Sequence, residues 1–267
     1  MASGEYREDE KIFNEKFKYL ESLIKESPKI AIFTGAGVST LSGIPDFRGA
    51  HGVYNSPWKG LSVEEILSID YFYSHPEIFY KWAEEVWYHL EEYKPNIVHN
   101  VLARMEEHDL LSTGIFTQNI DFLHQRAGSK RVYELHGSAK HSYCTNCHAH
   151  YSYEEVAPIV RSGHVPYCKT CSGLIKPDIV FYGEALDSSI LKRAEIAFSQ
   201  ADLTLVLGSS LTVYPAASFP KLTAYYGGKV VIVNADATAQ DESAELTFRD
   251  LEQVFSALSK LLDDGTL

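Results

Sequence analysis

The chain is expected to fold as an α/β protein, a parallel sheet with helices on both faces, and three observations carry that expectation. Short, continuously apolar runs rich in β-branched residues recur along the 267 residues. Each ends at a glycine or a polar residue, and helix-length segments separate them. Strands buried on both faces read as unbroken apolar runs, and crossovers of that length join parallel neighbours.

The elements follow in order. A first helix is expected over residues 10–27. A strand over residues 30–33 ends at Thr34-Gly35, and helices follow over 76–93 and 96–108. The run at 114–116 ends at Thr117-Gln118-Asn119, and the run at 132–135 ends at His136-Gly137. A helix over 188–200 leads to a strand at 203–207 that ends at Gly208-Ser209-Ser210; a helix over 215–226 leads to a strand at 230–233 that ends at Asn234. A helix over 251–262 follows. Sheets of this kind bind ligands beyond the carboxyl ends of their strands, so the chemistry is expected at these polar endings.

Composition narrows the classes. A chain of 267 residues with 45% hydrophobic content can bury one large core plus a small appended module. The formal charge of -12 argues against a protein that coats nucleic acid; it favours approach of a basic, lysine-containing peptide, or simply keeps the chain soluble. The opening MASGEYREDEKIFNEKFKYL lacks the apolar core of a signal peptide, and no run reaches membrane-spanning length. A soluble cytoplasmic protein with no membrane partner is expected. All four cysteines fall in two Cys-x-x-Cys pairs, which fits a reducing compartment.

The first strand breaks into Gly35-Ala36-Gly37, then Val38-Ser39-Thr40. Glycines there let backbone approach a phosphate, and a helix opened at Val38 would offer N-terminal amides to an anion. A tight turn without a ligand is the plain alternative, but the run continues as Ser42-Gly43-Ile44-Pro45-Asp46-Phe47-Arg48-Gly49, a composition suited to a loop folded over a ligand. The whole stretch, GAGVST followed by SGIPDFRG, resembles the signature of the sirtuin family, the NAD-dependent protein lysine deacylases, in its bacterial or archaeal form. The resemblance extends from about residue 29 to residue 234. It implies a Rossmann-like domain formed by residues 1–137 and 177–267, with NAD as cosubstrate. One feature departs from ordinary dinucleotide folds: about 20 residues after the glycine turn, where an acidic residue usually holds the ribose, the chain reads HGVYNSPWKG. The adenosine-side contact is therefore expected from the strand ending at Asn234, although Asn234 and Asp236 could equally be turn residues.

Cys144-x-x-Cys147 and Cys168-x-x-Cys171 have the spacing of a four-thiolate zinc ribbon. Four thiolates saturate tetrahedral zinc, so one structural Zn2+ is expected to hold a module inserted at about residues 138–176, together with a helical insertion around 50–95. A pair of redox dithiols is the competing reading. His148, His150 and His164 are expected at the surface. Lys140, Arg161, Lys169 and Lys176 against Glu154 and Glu155 give the insert too small a basic excess to suggest nucleic acid.

Buried amides and carboxylates at strand ends are costly unless they bind something. Gln118, Asn119 and Asp121 suit a carboxamide and ribose hydroxyls. By resemblance, Asn119 and Asp121 line the nicotinamide pocket and His136 is the general base. Carried over residue by residue, the NAD contacts are Gly35, Ala36, Gly37, Thr40, Phe47, Arg48, Gln118, Asn119, Ile120, Asp121, His136, Gly208, Ser209, Ser210 and Asn234. Phe47 would shield the reactive ribose and Arg48 would face phosphate or ribose. His124 is expected to pack or to lie on a helix surface. The implied chemistry starts with an acyl-lysine carbonyl oxygen attacking the anomeric carbon as nicotinamide leaves. An imidazole, with an ordinary pKa of about 6.5, then takes a ribose hydroxyl proton, and acylated ADP-ribose and free lysine result.

Extended segments around Val180, Tyr182, Gly183 and Glu184, and around Val213 and Tyr214, can pair with a peptide backbone as added strands. In sirtuins a substrate lies between two such segments, and Tyr182 stands where phenylalanine is commoner. Relatives that remove succinyl groups carry a tyrosine and an arginine three residues apart; Ala83 and Val86 are expected at those positions, which favours acetyl and other neutral acyl groups. A monomer acting on acylated lysines is expected. An ADP-ribosyltransferase or NAD glycohydrolase would use the same pocket, but the presence of His136 speaks against it. A non-catalytic NAD sensor would be expected to lack Asn119, Asp121 or His136.

Overall fold

The computed structural model describes residues 9–46, 52 and 57–267. Helix α1 (Glu10–Glu26) starts where the Asp9 carboxylate accepts from the amides of Lys11 and Ile12, and it buries Phe13, Leu20, Leu23 and Ile24. Strand β1 (Ile30–Thr34) is buried throughout and breaks into the one-turn helix α2 (Gly37–Thr40). Three helices follow: α3 (Val63–Ile66), α4 (Ile69–Ser74) and α5 (Pro76–Val86). Ser62 and Ser68 cap the first two, and Pro76 opens the third, where its missing N–H costs nothing. Helix α6 (Ile97–Glu107) carries a capping box in which His99 reaches back to the Asn96 amide.

Beyond α6 come β2 (Ile115–Thr117), the short α7 (Leu123–Arg126) and β3 (Val132–Glu134). A separate unit then begins with β4 (Gly137–Cys144), β5 (His150–Ser152), α8 (Tyr153–Arg161) and β6 (Ile175–Ile179). The chain returns through α9 (Ser188–Gln200), β7 (Leu203–Leu207), α10 (Phe219–Tyr225), β8 (Lys229–Val233), β9 (Leu246–Phe248) and α11 (Leu251–Asp263).

The main sheet has the order β3-β2-β1-β7-β8-β9, and every pairing in it is parallel. Chain order reverses between β1 and β7, the switch point at which such sheets open a crevice for ligands. One face packs α1, α6 and α11 through Leu20, Leu102 and Phe255; the other packs α9 and α10 through Phe198 and Phe219. The β9 edge strand is an addition to the expected set.

The second sheet, β5-β4-β6, is antiparallel. Its apolar residues join those of α3, α4, α5 and α8 in one aromatic-rich core that includes Phe72, Phe79, Trp82, Tyr153 and Phe181. Helix α8 is a further addition to the reading of the insert; Ser152 and Glu155 form its capping box. Among the described residues, no helix is long and apolar enough to cross a membrane.

Candidate active site

At the switch point, Gly35-Ala36-Gly37 after β1 meets Gly208-Ser209-Ser210 after β7. A Cβ at Gly35 would lie 2.7 Å from the Gly208 carbonyl oxygen, and one at Gly37 would lie 2.8 Å from the Gly208 Cα. Gly208 itself sits at φ +58°. These glycines are thus demanded by contact between two stretches of the protein's own backbone, whatever a phosphate requires in addition.

Two cavities open beside that contact. The larger, about 460 Å³, is bordered by Ala36, Gly37 and Asp46 from the β1 end, by Gln118, Asn119 and Ile120 from the β2 end, and by His136. Gly208, Ser209 and Ser210 border it beyond β7, and Asn234 and Asp236 beyond β8. Val180, Tyr182, Gly183, Glu184, Val213 and Tyr214 form the rest of its wall. The smaller cavity, about 150 Å³, shares Ala36, Trp87, Asn119 and Ile120 with the first and adds Ser39, Ile44, Val86 and Asp121. Phe47 and Arg48 lie outside the described residues.

The polar floor between the cavities is a closed network. Ser39 Oγ donates to Asp121 Oδ2 at 2.6 Å, and Asn119 Nδ2 donates to Ser39 Oγ at 3.1 Å. The Leu123 amide donates to Asp121 Oδ1 at 3.0 Å. Burial pushes the Asp121 carboxyl above its ordinary range, and the bonds from Ser39 and Leu123 oppose that rise. Ser209 Oγ donates to Gln118 Oε1 at 2.8 Å, tying the β7 end to the β2 end.

His136 Nδ1 lies 3.2 Å from the Gln118 carbonyl oxygen. A carbonyl can only accept, so Nδ1 carries the proton in the neutral ring and Nε2 holds the lone pair of a base. Of the two readings expected for His124, packing is the one observed: it is buried, with Nε2 3.1 Å from Thr34 Oγ1 and its ring 4.8 Å from the ring of buried His99. Burial draws His99 down to about 4 and His124 well below its ordinary value. Both imidazoles are therefore neutral near pH 7.

The four cysteine sulfurs lie within 4.8 Å of one another. The short separations run between the pairs, Cys144 to Cys171 at 3.5 Å and Cys147 to Cys168 at 3.6 Å. Tetrahedral zinc with Zn–S bonds of about 2.3 Å places its sulfurs at about such distances. Backbone amides of Asn146 and Cys147 point at Cys144 Sγ, and that of Thr170 at Cys168 Sγ. The Tyr151 hydroxyl donates to Cys168 Sγ at 3.2 Å and is the main reason that thiol falls to about 5. Four sulfurs gathered across the two knuckles and fed by amide donors fit a tetrahedral cation. A redox dithiol would instead bring sulfurs together within one Cys-x-x-Cys. His148, His150 and His164 are exposed and outside the cluster.

A sequence profile of the Sir2 family matches residues 35–215. The chain belongs to the Sir2 family. It is 47% identical over 233 residues to a protein from Thermotoga maritima named NAD-dependent protein deacetylase, covering 87% of this chain and 92% of that one. A protein of the same name from Clostridium perfringens is 41% identical over 252 residues, 94% of this chain and all of that one. Solved structures of similar shape include Sir2 with a p53 peptide and NAD+, at TM-score 0.84 and 44% identity over 94% of this chain and 99% of that one. Another is Sir2Tm bound to a propionylated peptide, at TM-score 0.82 and 43% identity over the same shares.

In this Sir2 family chain some expected residues stand elsewhere than at a cavity. Thr40 is exposed and its Oγ1 turns back to the Gly37 carbonyl. The neighbour that faces inward is Ser39, which was not among the expected contacts; successive helical residues point about 100° apart, and here Ser39 borders the smaller cavity while Thr40 is exposed. Gly35 packs against Gly208 and Ser209 behind the wall. Of the two positions expected to set acyl preference, Val86 borders the smaller cavity, whereas Ala83 is buried in the aromatic core and borders neither. Lys176, counted above among the basic residues of the insert, is 1% exposed. Tyr182 is 40% exposed and Tyr214 63%, both on the rim.

Proposed function

We propose that this chain removes acetyl and other neutral acyl groups from lysine side chains of proteins, consuming NAD and yielding nicotinamide, O-acyl-ADP-ribose and free lysine. The observation that carries this reading is the pair of adjacent cavities, which share Ala36, Trp87, Asn119 and Ile120 in their walls. A small chamber bordered by Asn119, Ser39 and Asp121 suits a departing carboxamide, and the larger chamber beside it is bordered by His136. The relatives' shared name, and solved Sir2 structures with acetylated and with propionylated peptides, support the same chemistry.

In this reading Asn119 and Asp121 bind and orient nicotinamide, and the Ser39 bridge holds their side chains in register. Gly208, Ser209, Ser210 and Asn234 receive the adenosine side. Gln118, through its backbone carbonyl, fixes the His136 tautomer so that Nε2 accepts a ribose hydroxyl proton. The substrate strand lies between Gly183-Glu184 and Val213-Tyr214. No lysine or arginine among the described residues borders either cavity, and Asp46 and Glu184 add negative charge, which favours neutral acyl groups. The four cysteines hold zinc away from the reacting atoms. The Rossmann-like domain then comprises residues 1–137 and 177–267, with the zinc module at 138–176, and the chain works as a monomer in the cytoplasm.

The test is incubation with NAD and an acetyl-lysine peptide, with mass detection of every product. O-acetyl-ADP-ribose, nicotinamide and deacetylated peptide in equal amounts are expected. Free ADP-ribose with the acetyl group left on the peptide would refute the proposal.

A further inference from the structure

The wall that would receive the substrate strand hangs from one buried cation. Lys176 lies on β6, yet its Nζ reaches forward along its own strand. It donates to the Ile179 carbonyl at 2.7 Å and to the Pro177 carbonyl at 3.3 Å, and it meets Glu184 Oε2 at 2.9 Å. Those are three acceptors for the three N–H groups of an ammonium. The Phe181 ring covers the remaining approach, with the charge 4.1 Å from its centroid.

Glu184 is engaged twice over. Its Oε2 also accepts from the Phe181 amide at 2.8 Å, while its own amide donates to the Phe181 carbonyl at 3.0 Å. The turn at residues 181–184 is thereby closed from both ends, with Gly183 at φ +93°. The segment is tied on one side by Val180 N to the His136 carbonyl and on the other by Tyr182 N to the Leu67 carbonyl. Val180, Tyr182, Gly183 and Glu184 all border the larger cavity.

A buried ion pair seldom adds net stability over an apolar replacement of the same volume, whereas it can specify one conformation among several. Here the groups that it fixes are the carbonyl of Ile179 and the carboxylate that shapes the turn. We propose that Lys176 is a positioning residue for the acyl-peptide: through Glu184 and the Ile179 carbonyl it holds residues 180–184 in the shape that receives the substrate strand. This rests on the deacylase reading of the same cavity.

Lys176→Met, Lys176→Arg and Glu184→Gln test it in the full-length, zinc-loaded protein. Lys176→Met is expected to raise KM for an acetyl-lysine peptide about tenfold, to leave KM for NAD within about twofold, and to speed hydrogen exchange at the Phe181 amide. Lys176→Arg keeps the charge and should restore most of the peptide KM. Glu184→Gln keeps shape and acceptor but weakens the pair, so it is expected to give a smaller effect of the same kind, and it serves if Lys176→Met does not fold. Peptide affinity and exchange at residues 180–184 unchanged in the variants would overturn the proposal. So would peptide and NAD constants rising together with no rescue by arginine. Binding of a labelled acetyl-peptide and the exchange rates are read without turnover, so a wild-type protein that binds peptide but forms no O-acetyl-ADP-ribose would count against the deacylase reading alone.

Discussion

The six-stranded sheet and the smaller lobe meet at the same cavity but are held by different means. The sheet is pressed between two apolar layers on opposite faces, and its site residues sit at strand ends that the register of β1, β2 and β7 fixes. The lobe has three short antiparallel strands and one aromatic core, with four thiols at one tip. Yet β4 begins immediately after His136 and ends at Cys144, and β6 leads from the cysteine side directly into residues 180–184. In the proposed reading the smaller lobe therefore carries the substrate wall, while the nicotinamide floor belongs to the sheet. Binding of peptide and binding of NAD are expected to fail separately.

Removal of zinc should separate them most strongly. Structural zinc contributes on the order of 10 kcal/mol in small four-ligand units, and here it would join the two Cys-x-x-Cys knuckles of the lobe, whose Cys147 and Cys168 stand 21 positions apart in the chain. Chelation, or Cys168→Ser, is expected to raise hydrogen exchange across residues 137–179 and to abolish acetyl-peptide binding first, with β1, β7 and β8 still protected. Exchange that rises uniformly over both parts would show that they unfold as one and break the comparison.

The junction itself is tested by His136→Ala. Loss of a general base costs about 10²–10⁴-fold in turnover. The variant should keep its melting temperature, zinc content and NAD affinity, because His136 belongs to none of the buried apolar clusters that hold the two parts together. A near wild-type deacetylation rate would remove His136 from the mechanism.

How far these roles could be read from the amino-acid order differs between the same two regions. In the sheet, β1, β2, β3, β7 and β8 were all expected within a residue or so of their observed ends, because an apolar run that stops at Gly35, Gly208 or Asn234 marks a carboxyl end unambiguously. Only β9 escaped, being three residues at an edge with Thr247 in its middle. In the lobe, the cysteine spacing was legible, but α8 was hidden by Pro158 and by a Tyr- and His-rich setting. Lys176 reads as a surface cation in any composition count, since nothing local announces the carbonyls and carboxylate that cage it. Ser39 was missed beside Thr40 because four residues are too few to show a helical period. The partnership of Ser39 with Asp121, across 82 positions, exists only in the fold.

Acyl preference sharpens the comparison on the lobe side. A succinyl group carries a carboxylate into a cavity without a cation among the described residues that border it. Its kcat/KM is expected to be about a hundredfold below that for acetyl on the same peptide, for want of a partner that offsets desolvation. Propionyl should stay within about tenfold of acetyl, since one buried methylene is worth about 0.8 kcal/mol. A preference for succinyl would require a cation outside the described border.

The smallest effect lies in the sheet half and concerns acid. The rings of His99 on α6 and His124 on α7 lie 4.8 Å apart in the interior, and burial lowers both pKa values, His99 to about 4. The unfolded chain binds a proton at His99 below about pH 6.5, whereas the folded protein does so only at about 4, and His124 is shifted in the same direction. Between those values the unfolded state holds more protons, so stability rises with pH and is lost as pH falls. Buried Asp121 and Glu134 act in the opposite sense, because their pKa values are raised and the folded state gains protons there first. His99→Gln isolates one contribution. Glutamine can still reach back to the Asn96 amide and keep the capping box, while it removes the titrating ring. Chemical denaturation of wild type and variant at several pH values should show the variant's slope between pH 4 and 6.5 lower by up to about 1.4 kcal/mol per pH unit, with no difference above pH 7.5 in that slope. Parallel curves would mean that His99 takes up its proton as readily in the folded protein as in the unfolded chain, and that its burial does not lower its pKa.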